Sequence, residues 1–199
     1  YWGEGAYDLE NVVFGMKVDK YYSKAKPYDG YPDKSFRYFD KEKKICKTKK
    51  GKKAVIYQYS SIETNYGEVL ARFGNFEFPY TGMLADKSGK LIGILAQGRL
   101  DGTAAVDSLL YALAEKYGQK CYMTEEYFGE RNFGWYMNDR TIQLYVCKPV
   151  PEHLDAVIYL EENEKGERKI VGGGSQPHTW YEVRLTVTKT KYAPFIDCI

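Results

Sequence analysis

Cys147, His153 and Asp155 lie close together in the chain and are the residue types that a nucleophile, its base and an orienting acid require. A thiol attacks only as thiolate, so such a group also needs a depressed pKa. Pro149 and Pro151 put His153 in a loop after the strand that carries Cys147. Closeness along a chain does not make a triad, so no catalytic residue is assigned. The carboxylates form two groups, Glu125-Glu126 and Glu161-Glu162 with Glu164. Paired acids hydrolyse glycosides when held across a sugar, but nothing in the spacing fixes such a distance, and the second group borders a turn. A hydrolase using Cys147 or a carboxylate pair is therefore the alternative reading. No CxxC pair and no calcium-loop spacing is present, so neither a metal site nor a cofactor is expected. His178 follows Gly172-Gly173-Gly174-Ser175-Gln176-Pro177, which lacks the Gly-Lys-Ser/Thr of a phosphate loop and reads as a long hairpin connection.

Two surface candidates remain. Lysines crowd the stretch 41–53, and Lys47, Lys49, Lys50 and Lys52 at its tip form a candidate anion patch. Nucleic-acid or anion binding through this hairpin is a second alternative, with Phe36, Tyr38 and Phe39 nearby for base stacking. Arginine is absent from the run and base readers use Arg, Asn or Gln. Lysines also protect a strand edge from aggregation, which is the favoured use here, so a nucleic-acid partner is not expected. The second candidate is aromatic. Tyr122, Tyr127, Phe128, Phe133, Trp135 and Tyr136 crowd one region, and Trp180 extends it. Core packing competes for these rings, but Tyr and Trp are favoured interface anchors. Tyr122, Tyr127, Phe133, Trp135, Tyr136 and Trp180 are the candidate ligand or partner surface.

The elements that would position these groups follow from periodicity. Leu9–Met16 reads as a strand or an extended entry segment, and Asp19 could cap one or two helical turns. Phe36–Cys46 and Ala54–Tyr59 form a hairpin about Lys49–Lys52. Val69–Phe73, Phe76–Phe78 and the Asp86–Gly89 turn lead to Leu91–Ala96, a continuously apolar run that suits a central strand covered on both faces. Val106, Leu109, Leu110, Leu113 and Tyr117 then recur at helical spacing. Asp101 or Thr103 can cap this helix and Gly118 can stop it. Afterwards Phe133–Met137 and Thr141–Lys148 flank a tight turn at Asn138-Asp139-Arg140, and Ala156–Leu160 follows. In the last strand Tyr181, Val183, Leu185 and Val187 alternate with Glu182, Arg184, Thr186 and Thr188, one buried face against one wet face. The expectation is one α+β domain over residues 1–199: a twisted antiparallel sheet in meander-like groups, with the Thr103–Tyr117 helix packed across it.

Composition narrows the function. The net charge of +2 gives no global argument for nucleic acid or an acidic membrane. No apolar run reaches the ~18 residues a membrane helix needs. The 20 tyrosines suit half-buried sheet surfaces. Cys46, Cys121, Cys147 and Cys198 permit three full pairings. A chain of this size does not depend on staples, so unpaired thiols are expected.

Phe14-Gly15-Met16, the strands after it, and a helix ending Lys116-Tyr117-Gly118 resemble uncharacterised exported or cell-envelope α+β proteins of gut bacteria. The resemblance touches about half the chain and rests on short motifs. It implies an exported bacterial location, periplasmic or cell-surface, and no catalytic residue; a start at Tyr1 without Met agrees with a removed leader. The expected function is a non-catalytic exported binding or interaction domain with a protein or glycan ligand.

Overall fold

The computed structural model describes residues 7–18, 39–48, 50–61, 69–119, 122–126, 130–147, 150–153, 157–162, 168–174 and 177–198. The expected turn after Asp19 lies outside these residues. The described chain is mostly antiparallel strand with one main helix packed on it.

A nine-stranded sheet forms the centre. Its strands are β2 (Phe39–Lys47), β3 (Lys53–Ser61), β6 (Tyr80–Ala85), β7 (Leu91–Asp101), β8 (Tyr122–Glu126), β9 (Glu130–Tyr136), β10 (Arg140–Val146), β11 (Val150–His153) and β14 (Pro177–Lys189). Across the sheet the order is β2-β3-β6-β7-β14-β10-β9-β8, with β11 continuing the line of β10 along β14. β1 (Tyr7–Asp8), β4 (Ala71–Phe73) and β5 (Phe76–Phe78) make a small separate sheet, and β12 (Val157–Glu162) pairs with β13 (Arg168–Gly174).

Side chains alternate faces along a strand, so register fixes which residues share a side. Ile94 and Ala96 on β7 stand beside Val187 and Leu185 on β14, and these beside Ile142 and Leu144 on β10. All six are buried. Onto this face pack the small sheet and helix α1 (Gly102–Tyr117), whose Val106, Leu109 and Leu113 are fully buried and whose Leu110 and Tyr117 pack at the margin. Each buried side chain of this size contributes about 1.5–3 kcal/mol. Gly102 takes φ +79 between β7 and α1, a left-handed turn that other residues adopt at a cost. The expected helix cap is not made: Asp101 gives no side-chain cap, and its Oδ1 instead accepts from Arg99 Nε at 3.3 Å. Thr103 Oγ1 lies 3.2 Å from Tyr181 Oη. Gly118 ends the helix, its N–H donating to Ala114 O at 2.8 Å.

At the N-terminal entry the strand alternative is not made. Only Tyr7–Asp8 is strand, parallel to β4; Leu9–Asn11 is a 3-10 turn. Asp8 causes this, because its side chain accepts from Glu10 N at 2.9 Å and from Asn11 Nδ2 at 2.6 Å, satisfying the turn locally.

β5 presses closely on β7. A Cβ at Gly98 would lie 3.1 Å from Glu77 O and 3.3 Å from Phe78 Cδ1. Gly98→Ala is therefore expected to destabilise by about 1–3 kcal/mol in urea unfolding. A variant as stable as the parent would mean that β5 does not bear on β7.

On the opposite face, Cys46, Ile56, Leu84 and Ile92 form a second buried cluster, closed by Phe195 of the C-terminal 3-10 segment Thr190–Cys198. Cys46 is disulfide-bonded, which corrects the expectation of unpaired thiols; Cys147 is a free thiol. No helix among the described residues is long and apolar enough to cross a membrane.

Candidate functional site

The C-terminal segment covers only part of the second face. Further along β6, β7 and β14 that face is left open among the described residues. Tyr80 pairs with Gln97, Gln97 with Arg184, Arg184 with Tyr145, and Tyr145 with Asn132. These five hydrogen-bonding side chains form one row across five strands, on the side away from α1. A depression of about 320 Å³ opens over one end of the row, lined by Gln58, Ser60, Tyr80, Thr81, Gly82, Leu95, Gln97 and Arg184. That size suits a small ligand or part of a larger one. Gly82 keeps its floor low: a Cβ there would come into ordinary contact with Tyr59 O at 3.7 Å and with Leu95 Cβ and Ser60 Oγ at 3.9 Å.

Charges around the row are partly spoken for. Gln97 Nε2 donates to Glu182 Oε1 at 2.7 Å. Burial, then the neighbouring Glu130 carboxylate, pushes the Tyr145 phenol up to about 12. Arg184 is exposed and makes no hydrogen bond or ion pair with any described residue. Gln58 Nε2 donates to Ser60 Oγ at 3.0 Å.

The structure divides the expected aromatic surface between the two faces. Phe133 and Trp135 lie in the helix-side core, 8% and 2% exposed. Trp135 also donates from Nε1 to Gly118 O at 2.9 Å. These two are therefore corrected to packing residues. Tyr136 is 59% exposed and on the open side, its ring folded over Gly134, where a Cβ would lie 3.0 Å from Tyr136 Oη. Trp180 is half-buried on the same side, with the Arg99 guanidinium 4.6 Å from its ring centre. Tyr122 belongs to β8, paired with Gly134, but its side chain lies outside the description, as Tyr127 does entirely.

Of the candidate anion patch, Lys47, Lys50 and Lys52 are exposed at the β2–β3 turn, and Lys49 lies outside the described residues. The turn is held by Thr48, whose Oγ1 accepts from Lys52 N at 3.1 Å and whose carbonyl accepts from Gly51 N at 2.9 Å. Lys41, further along β2, lies over the rings of Tyr57 and Tyr59 at 4.9 and 5.4 Å.

His153 is not in a loop: Val150–His153 is β11, paired with Pro177–Trp180 of β14. Extended chain at ~3.3 Å per residue carries it away from Cys147, and Asp155 lies outside the described residues. Cys147 sits where β10 gives way to β11. Its Sγ accepts from Glu182 N at 2.8 Å, yet burial pushes its pKa up, which disfavours the thiolate. The side chains of Glu125, Glu126, Glu161 and Glu162 lie outside the description. The glycine run is also corrected, because Gly172–Gly174 belongs to β13 and Pro177 already begins β14. Among the described residues no group of three His, Cys, Asp or Glu is placed to hold a metal.

Tyr117, on the helix side, has a buried hydroxyl without a partner, and burial pushes its pKa from 10.0 to about 12. The neutral form is thus favoured in the folded state. The unfolded chain loses this proton near pH 10 and the folded chain near pH 12, so stability should fall as pH rises across that window. Tyr117→Phe is expected to soften this fall and to be neutral or slightly stabilising at pH 7, since it deletes an unsatisfied group. Urea unfolding at several pH values would check both; an undiminished slope in the variant would assign the fall elsewhere.

No protein-family model, curated protein or solved structure matches this chain.

Proposed function

We propose that the protein is a non-catalytic, exported bacterial binding domain that holds a glycan on the open face of its sheet. One observation carries this reading: Tyr80, Gln97, Arg184, Tyr145 and Asn132 form a register row beside a depression of about 320 Å³. Amide, hydroxyl and aromatic groups on fixed strands are a preorganised surface for a hydroxyl-rich ligand, since strands hold side chains with little ordering cost on binding. The raised thiol of Cys147 argues against nucleophilic catalysis there. The disulfide at Cys46 supports an oxidising compartment, in keeping with export.

The test is retention on a panel of immobilised polysaccharides and cell-envelope extracts, comparing the parent with Gly82→Val. A Cβ there would lie in ordinary contact with Tyr59 O at 3.7 Å and Leu95 Cβ at 3.9 Å, so valine adds bulk at the floor of the depression. The expected result is binding by the parent and a loss of about tenfold or more in the variant at unchanged melting temperature, equivalent to about 1.4 kcal/mol or more. Equal retention of both, capture of a protein in place of a glycan, or no retention at all would sink the reading.

A further inference from the structure

We propose that the depression takes an acidic saccharide, with Arg184 as the anchor for its carboxylate. This rests on the reading of the open face as a glycan surface and narrows it to one chemical class.

Arg184 stands on β14, between β7 and β10, so hydrogen-bonded ladders on both sides fix its backbone. Two carboxylates lie close by, and neither takes the guanidinium. Glu182 accepts from the Gln97 amide at 2.7 Å, and Glu130 lies against the Tyr145 phenol. Neither carboxylate pairs with the guanidinium, and the cation that lines the depression makes no hydrogen bond or ion pair with a described residue. A planar guanidinium matches a carboxylate through two parallel N–H···O bonds, which a lysine cannot reproduce.

The rest of the lining selects the body of the ligand. Gln58, Ser60 and Gln97 are uncharged. Ser60 Oγ already accepts from Gln58, so its own O–H is left to donate outward. Tyr80, 52% exposed, supplies a flat ring for the C–H face of a sugar. Glu182, bonded to the Gln97 that lines the depression, opposes a second negative charge, so a singly charged carboxylate is favoured over a doubly charged phosphate. From β3, which carries Gln58, to β14 is three strand spacings, about 14 Å at ~4.8 Å each. A ligand touching both ends is longer than one sugar ring.

The test is titration calorimetry with a panel of uronate oligosaccharides, the same oligosaccharides after reduction of their carboxylates to alcohols, and inorganic phosphate. The expected result is binding of at least one acidic oligomer and a loss of about tenfold or more on carboxyl reduction, the range of a charge-assisted pair. Arg184→Gln should erase the preference for acid over alcohol, and Arg184→Lys should restore it only in part; an unchanged melting profile shows that both variants are folded. If the reduced oligomers bind as tightly as the acids, if Arg184→Gln keeps the acid preference, or if phosphate displaces the ligand, this inference is overturned while glycan binding on the open face stands. If neither acidic nor reduced oligomers nor neutral polysaccharides bind, both readings fall together.

Discussion

Trp135→Ala is expected to lower the unfolding free energy by about 3–5 kcal/mol, read as a shift of the urea midpoint. Trp135 is 2% exposed, stands beside Ile142 on the neighbouring strand, and ties the sheet to the end of α1 through Gly118 O at 2.9 Å. Truncation therefore opens a cavity and leaves a carbonyl without its donor. Trp135→Phe keeps most of the volume and should cost less, about 1 kcal/mol of it for the lost hydrogen bond. Tyr136→Ala, one position along, removes a 59% exposed ring and should stay near 0.5–1 kcal/mol. Equal stability losses at 135 and 136 would contradict the facing of β9. Since binding and folding can both fail at Trp135, that residue is unsuited to testing a ligand surface, whereas Gly82 and Arg184 separate the two.

The second large effect concerns Cys46. Cys46 is disulfide-bonded and fully buried in the cluster of Ile56, Leu84 and Ile92 that Phe195 closes. Cys46→Ala is expected to cost about 2–5 kcal/mol, the usual range for removing a native disulfide. Reductant under unfolding conditions should move the parent toward the variant and leave the variant unmoved. A variant as stable as the oxidised parent would show that the apolar packing around Cys46 carries this cluster without the cross-link.

The parts of this architecture legible in the sequence are those an element states by itself. Val106, Leu109 and Leu113 announce a helix face through their spacing, and Tyr181 to Val187 announce a strand with one buried side. The candidate site is of another kind. Tyr80, Gln97, Tyr145 and Arg184 lie on four strands, and only the pairing of β6, β7, β14 and β10 puts them in one row. Arg184 reads as an ordinary wet-face residue until its cross-strand neighbours are known. The aromatic cluster misleads for a related reason: composition shows that rings are concentrated near 133–136, but only alternation along β9, set by register with β10, tells which of them turn inward. The disulfide at Cys46 was equally illegible, since spacing says nothing of which sulfurs meet. At the N-terminal entry the apolar pattern left a strand and an extended segment both open, and local hydrogen bonding by Asp8 sets a 3-10 turn at Leu9–Asn11.

The place of β14 in the chain has a consequence for biosynthesis. Among the strands of the large sheet it is the last to be synthesised, yet it joins β7 on one side to β10 and β11 on the other. Until Pro177–Lys189 has left the ribosome, the two halves have no shared ladder and their inner borders are bare. A nascent chain in that condition has not locked its interior, so the two halves can close on each other only once synthesis is nearly complete. A premature stop ahead of Pro177 would instead leave two sheet fragments with adhesive flanks, a state that quality-control proteases recognise.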